Sequence, residues 1–162
     1  MIPTSTRLSY TNGYLELGMI QHAREELDAI AKKDLLLPEV LAMRAKLYLE
    51  TRNWELLEAV ARNLTERSPD SFIGWVHHAY ALRELDRTRE AKTVALQGVR
   101  HHPKTAVLWF NLACYCSLLN EVEDASEHLD KAIALEKSFE AEAVDDPDLQ
   151  NLWNWIQRDP SS

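Results

Sequence analysis

Two stretches of this chain, WVHHAYAL at residues 75–82 and WFNLACYC at residues 109–116, share one pattern of large and small side chains. Trp75 and Trp109 open the two stretches, and they lie 34 residues apart. A fixed interval of this length indicates an internal repeat, in which each copy is one supersecondary unit that buries its apolar face against its neighbours. The comparison extends in both directions and predicts four units over residues 4–37, 38–71, 72–105 and 106–139.

Mostly small residues occupy two columns of this repeat. The first column holds Thr11, Ala45, Ala79 and Ala113, and the second holds Ala23, Leu57, Ala91 and Ala125. Two helices whose axes come within about 8–10 Å leave little room for a side chain larger than a methyl group at the point of contact. The columns therefore predict a pair of helices in each unit that cross at these positions.

A turn column separates the two helices of each unit. It holds Gly18, Arg52, Asp86 and Asn120. Glycine and asparagine tolerate the left-handed backbone that ends a helix, and Arg52 fits this position least well. Apolar residues at helical spacing on both sides of the turns complete the prediction. The first helices are expected near residues 5–17, 38–51, 72–85 and 106–119, and the second near 20–33, 54–67, 88–101 and 122–136.

The period, the small columns, a bulky residue one turn later such as Tyr48, and Pro69 and Pro103 near the ends of units resemble the tetratricopeptide repeat family. The resemblance covers about residues 4–139, and Arg7, which stands where the later units have tryptophan, is its largest departure. It implies an all-α fold, a right-handed α-solenoid of four helix hairpins, in a single domain over residues 1–162. The chain is similar to small bacterial proteins of this repeat type.

A further helix is predicted over residues 147–157. Asp146 can cap it and Pro147 suits its first turn. Leu149, Leu152, Trp153 and Ile156 would then lie on one face and could cover the exposed side of the fourth unit.

The resemblance also implies which side chains of the first helices face the concave groove of such an array. We call these the groove-facing positions: Asn12, Glu16, Met43, Lys46, Glu50, Ile73, Val76, His77, Tyr80, Arg83, Val107, Phe110, Asn111 and Cys114. Among them Met43, Val76, Tyr80 and Phe110 form an apolar patch of the kind that marks a partner site. Alternatively, Tyr80 and Phe110 pack against each other, or the C-terminal helix covers them.

These features predict a non-catalytic module that binds a peptide or helix of a partner protein in the groove. One alternative is self-association, as a homodimer, through the C-terminal helix, on which Trp155 lies away from the face that carries Trp153. Another is a chaperone that holds apolar segments of an exported protein, an analogy that rests on size, charge and repeat type. The groove-facing positions do not supply the cluster of cations with which some members of the family bind a terminal carboxylate.

The charge distribution argues against nucleic acid as a partner. The net charge is −8, and residues 121–162 hold 12 acidic against 3 basic side chains. This acidic end repels phosphate backbones, and no basic stripe offsets it. No apolar run approaches the roughly 20 residues that span a bilayer, and no secretory signal is evident, so we expect no membrane partner and a cytoplasmic location.

Catalytic and metal-binding motifs are not evident in the sequence. Adjacent histidines, at 77–78 and 101–102, diverge by about 100° on a helix and do not chelate as pairs. Cys114 and Cys116 likewise point in different directions on a helix, so a disulfide between them is not expected. No glycine-rich phosphate loop or nucleophile turn occurs. We therefore expect no enzyme, no metal and no cofactor.

Overall fold

All regular structure in residues 1–158, the part of the chain that the computed structural model describes, is helical. The helices are α1 Thr4–Glu16, α2 Ile20–Asp28, α3 Pro38–Glu50, α4 Trp54–Arg67, α5 Phe72–Glu84, α6 Thr88–His101, α7 Ala106–Leu118, α8 Val122–Leu135, α9 Phe139–Asp145 and α10 Gln150–Arg158. Two short 3₁₀ turns occur at Lys32–Asp34 and Pro147–Leu149. The predicted all-α fold is confirmed.

The chain divides into two compact units, one over Met1–His78 and the second beginning at Ala79, so that α5 contributes to both. In unit 1, α1 pairs with α2, α3 pairs with α4, and α3 also contacts α1 and α2. In unit 2, α7 pairs with α8 and contacts α6, while α10 packs on α7 and α8. The single domain over residues 1–162 stays a prediction, and its residues 159–162 lie outside the described part.

Both columns of the repeat are buried, as the sequence predicts. No member of the first column, Thr11, Ala45, Ala79 and Ala113, is more than 1% exposed. All members of the second column, Ala23, Leu57, Ala91 and Ala125, are 0% exposed. Small side chains at these sites leave the helices free to pack closely.

The four residues of the turn column adopt the same left-handed backbone. Their φ angles are 71° at Gly18, 53° at Arg52, 62° at Asp86 and 62° at Asn120, and no other described residue has a positive φ. In each turn the residue that follows donates its N–H to a carbonyl five residues earlier, for example Asn53 to Tyr48 at 2.9 Å. These bonds satisfy carbonyls that a helix end leaves unpaired. The same hydrogen bonds therefore impose the same geometry on glycine, arginine, aspartate and asparagine.

The tryptophans that open the two stretches of the repeat are also held alike. The Trp75 indole N–H donates to the Pro69 carbonyl at 3.0 Å, and the Trp109 indole N–H donates to the Pro103 carbonyl at 2.8 Å. Each bond ties the first turn of a first helix to the loop that follows the preceding second helix. In the first of the four repeats, Arg7 occupies the position of the tryptophan, and its guanidinium forms an ion pair with Glu26 at 2.9 Å.

Some predicted helix bounds are wrong. Helix α2 ends at Asp28 rather than near residue 33, because the chain tightens into an Ile30 to Leu27 backbone bond that buries Ile30. Asp34 then accepts a hydrogen bond from the Thr4 hydroxyl at 2.6 Å. Helical periodicity depends on residues close in sequence and cannot indicate such distant contacts, so the prediction missed them.

The tail also differs from its predicted form. Helix α9 was not expected, and the predicted helix over 147–157 starts as a 3₁₀ turn before α10. The capping role of Asp146 is confirmed, because its carboxylate accepts the Asp148 N–H at 2.9 Å.

Candidate functional site

In unit 1, the groove-facing positions of α1 and α3 form a polar cluster. The Lys46 ammonium donates to the Asn12 amide oxygen at 2.6 Å, and the Asn12 amide nitrogen donates to Glu16 at 3.0 Å. Asn12 and Lys46 are half-buried, so both can still meet solvent or a ligand. The cluster offers one cation and one carboxylate, which the Asn12 amide links through hydrogen bonds to both.

The apolar groove-facing residues of unit 1 differ in how deeply they are buried. Met43 is partly buried and packs on the core cluster that includes Leu15, Leu27 and Leu47. Ile73 is 39% exposed, whereas Val76 is half-buried. Ile73 is thus the more accessible of the two apolar positions on this part of α5.

The environment of His77, a groove-facing residue of unit 1, changes the pKa of its side chain. Burial lowers the pKa of its imidazole from the ordinary value of 6.5, because desolvation disfavours the cation. The ring is therefore neutral at pH 7 and offers both a donor and an acceptor nitrogen.

In unit 2, the groove-facing positions divide into accessible and covered residues. Tyr80 is 37% exposed, and Val107 and Asn111 are half-buried. Phe110 and Cys114 are each only 5% exposed. The expectation that Phe110 belongs to an open apolar patch is therefore corrected, as is the expectation that Cys114 is accessible in the groove.

The covering residues come from the C-terminal segment, which we define as residues 139–158. The Phe139 ring stacks on the Phe110 ring, with centroids 4.7 Å apart and an interplanar angle of 24°. The Cys114 thiol lies 3.9 Å from an Asp146 carboxylate oxygen. Phe139 of α9, which precedes the predicted C-terminal helix, covers Phe110, whereas Tyr80 stays 37% exposed. The alternative in which the C-terminal helix covers both rings is therefore not observed.

Arg83 is held by the same segment through two parallel hydrogen bonds. Its Nη2 donates to Asp148 Oδ1 at 2.9 Å and its Nε donates to Asp148 Oδ2 at 3.3 Å. This fork geometry matches the planar guanidinium to the carboxylate. The hydrogen bond to Asp148 raises the pKa of Arg83 further above its already high range.

The two thiols of α7 are protonated and shielded. Both cysteines are free and buried. Burial raises the pKa of Cys114, and it raises the pKa of Cys116 to about 11. Since the thiolate is the reactive form of cysteine, this environment suits packing rather than nucleophilic chemistry. No cluster of three or more potential metal ligands occurs in residues 1–158.

The sequence analysis missed several residues that hold the C-terminal segment in place. Ser117 is fully buried; its hydroxyl accepts the Leu152 N–H at 3.2 Å and its carbonyl accepts the Asn151 amide at 3.0 Å. A single serine near the end of the apolar helix α7 was the available signal. Asp148 gave no such signal, because it lies among other carboxylates in an acidic tail.

Helix α10 packs through one face and leaves part of another open. Leu149 and Leu152 are 0% exposed, and the Trp153 indole N–H donates to the Ala143 carbonyl at 2.9 Å. Val144 and Ile156 are 69% and 37% exposed. They border an open cavity of about 440 Å³ whose lining also includes Trp153. Within residues 1–158 no helix is both long and apolar enough to span a bilayer.

Neither a protein-family model nor a curated protein matches this sequence. Solved structures do match its fold. The MamA protein superposes with a TM-score of 0.78 at 15% identity, over 92% of this chain and 78% of that one. TTC0263, a thermophilic TPR protein of Thermus thermophilus, gives 0.68 at 21% identity, over 83% and 75%.

A third match is YrrB, described as a TPR protein with an unusual peptide-binding site. It superposes with a TM-score of 0.69 at 15% identity, over 83% of this chain and 69% of that chain. Identities this low establish the shared fold and no more. The chain therefore has the helical fold of tetratricopeptide repeat proteins.

Proposed function

We propose that this chain is a non-catalytic protein–protein interaction module that binds a peptide or helix of a partner protein on the groove-facing positions of its first helices. The observation that carries the proposal is the C-terminal segment, a stretch of peptide chain that already sits on Arg83, Phe110 and Cys114 in unit 2. Stacking and ion pairing hold it, and these interactions also serve between proteins.

The groove-facing positions of unit 1 supply an open surface of their own. In unit 1, the partner is proposed to contact Asn12, Met43, Lys46, Ile73, Val76 and His77. In unit 2, it is proposed to contact Tyr80, Val107 and Asn111. The polar cluster around Lys46 would position a partner backbone or carboxylate, and exposed Ile73 would contact an apolar side chain. The peptide-binding site described for YrrB supports this use of the fold.

Photo-crosslinking in cells tests the proposal directly. Ile73 is replaced by the photoreactive residue benzoylphenylalanine, and the matched control carries it at Glu66, an exposed position on α4. We expect a discrete adduct from position 73 and none from position 66, and we expect Lys46→Glu to weaken it. An adduct from position 66 alone, or one that Lys46→Glu leaves unchanged, would contradict the proposal.

Self-association through the C-terminal helix is a second candidate, favoured by the exposure of Val144 and Ile156 beside Trp153. The expected result is a dimer mass in light scattering that Ile156→Asp reduces to a monomer. Gln97→Asp is the control, because Gln97 is an exposed polar residue of α6 that does not line this cavity. A wild-type mass of one subunit removes this candidate.

A further inference from the structure

One long-range contact of the C-terminal segment is an ion pair. Arg83 and Asp148 are 65 positions apart in the chain and meet through both carboxylate oxygens. Their side chains are 30% and 24% exposed, so solvent screens the pair only partly. A guanidinium in this position selects for a carboxylate over any neutral group.

The Arg83–Asp148 ion pair is one anchor of residues 139–148, and the stacked ring of Phe139 is a second anchor at the other end of this stretch. Phe139 is 7% exposed and Phe110 is 5% exposed, and the two rings stack. Offset ring pairs of this kind contribute beyond the area they bury. Phe139 precedes Asp148 by nine residues in the sequence. The surface of unit 2 thus recognises an aromatic ring and a carboxylate at a defined separation.

Residues 139–148, which include both anchors, keep most of their negative charge exposed to solvent. Residues 139–148 contain five carboxylates and no lysine or arginine. Glu140, Glu142 and Asp145 are exposed, whereas Asp146 and Asp148 are half-buried against unit 2. The stretch therefore uses two of its acidic groups for contact, in the manner of an acidic peptide ligand.

We infer that residues 139–148 are an intramolecular occupant of a binding site on unit 2, and that the external ligand of this site is an acidic segment with an aromatic side chain, which competes with them. The inference rests on the proposed function and names the chemistry of the partner for one part of the surface. Leu149, Leu152 and the bonds to Ser117 hold α10 in place. The Trp153 indole N–H also donates to the Ala143 carbonyl at 2.9 Å, so residues 139–148 detach only when this bond opens, while α10 remains bound.

Cys114 reports the detachment, because its thiol lies beneath Asp146. Labelling with Ellman's reagent is measured in full-length chains that carry Cys116→Ser, which leaves Cys114 as the reporter. The matched control carries Cys114→Ser and reports on Cys116, which is 0% exposed. We expect Asp148→Asn to speed labelling of Cys114 about tenfold and to leave Cys116 unchanged. Equal acceleration of both thiols, or no acceleration of Cys114, would overturn the inference.

Binding in trans tests the chemistry of the ligand. The probe is a fluorescent synthetic peptide with the sequence of residues 138–150, SFEAEAVDDPDLQ. In fluorescence anisotropy we expect it to bind the full-length Asp148→Asn chain about tenfold more tightly than the wild-type chain, whose site is occupied. Arg83→Gln, added to the same chain, should abolish the difference. Equal binding by all three proteins, or tight binding that survives Arg83→Gln, refutes an acidic ligand at this site.

Two further outcomes remain informative. If the Asp148→Asn chain forms a dimer in light scattering that the peptide dissociates, the competing occupant is a second copy of this chain and the inference fails. The crosslink from Ile73 lies in unit 1 and does not depend on Arg83. Loss of that crosslink therefore rejects the proposed function, whereas failure of the peptide to bind rejects the inference alone.

Discussion

Two glycines in α1 and its turn isolate the effect of backbone conformation on stability. Gly13 lies within α1, and Gly18 lies in the turn column with φ at 71°. A β-carbon built at either position meets no atom within 4 Å. Glycine to alanine is therefore the same chemical change in the same kind of empty surroundings, and only the backbone differs.

The expected effects have opposite signs. Gly13→Ala should stabilise the chain by about 0.5–1 kcal/mol, because glycine loses more entropy than alanine on entering a helix. Gly18→Ala places an L-residue in the left-handed region at a cost of about 1–2 kcal/mol, offset by roughly 0.4–1 kcal/mol of lost unfolded-state entropy. The net change at Gly18 is a destabilisation of about 0.5–1 kcal/mol. The two variants should thus differ by about 1.5 kcal/mol.

Arg52→Gly provides the reverse test in the second turn of the column. Arg52 is exposed and has φ at 53°, so glycine relieves the strain at the expense of unfolded-state entropy. The expected gain is about 0.5 kcal/mol, from the same two terms with their signs exchanged. Urea denaturation followed by circular dichroism measures all three variants, with midpoint shifts on the order of 0.3 M. If Gly13→Ala and Gly18→Ala shift the midpoint in the same direction, the argument from backbone conformation is wrong.

Three further predictions concern close packing, a hydrogen bond and pH. Gly74→Ala should destabilise the chain by about 1 kcal/mol in urea denaturation, because its β-carbon would lie 3.1 Å from the Thr65 backbone nitrogen; an unchanged midpoint would show that this contact relaxes freely. Trp109→Phe removes the hydrogen bond to the Pro103 carbonyl and should lower the unfolding free energy by about 1 kcal/mol, whereas a neutral result would assign the tryptophan a packing role only. The lowered pKa of His77 implies stability that is fully present above pH 6.5 and declines as the pH falls towards the folded-state value, since the unfolded chain binds the proton more readily. In a pH series from 7.5 to 5, His77→Gln should show a smaller loss of stability than the wild type, and an equal loss would contradict this reasoning.

Much of the helical framework could be predicted because it depends on residues close in sequence. Helix α4 begins at Trp54 and ends at Arg67, as the apolar spacing predicts. The small columns identified the crossing points before any contact was known, and Ala45 and Ala113 are 0% exposed. The turn at Arg52 shows that the position in the repeat outweighs residue preference, since two backbone hydrogen bonds form whichever side chain is present.

The accessibility of the candidate site could not be predicted in the same way. Phe110 and Tyr80 are both groove-facing positions, yet Phe110 is 5% exposed and Tyr80 is 37% exposed. The difference arises from Phe139, which stacks on Phe110 and belongs to no repeat. A repeat pattern assigns a side chain to a face of a helix, but it does not reveal which other segment covers that face.

The helix pairs, the points at which they cross and the turns between them could be predicted from the sequence, because they follow from side-chain size and helical period over a few residues. The end of α2 at Asp28 and the ion pair between Asp148 of the acidic tail and Arg83 became apparent from the folded structure alone. Such contacts join residues tens of positions apart, and their energies depend on burial and geometry that no local pattern records.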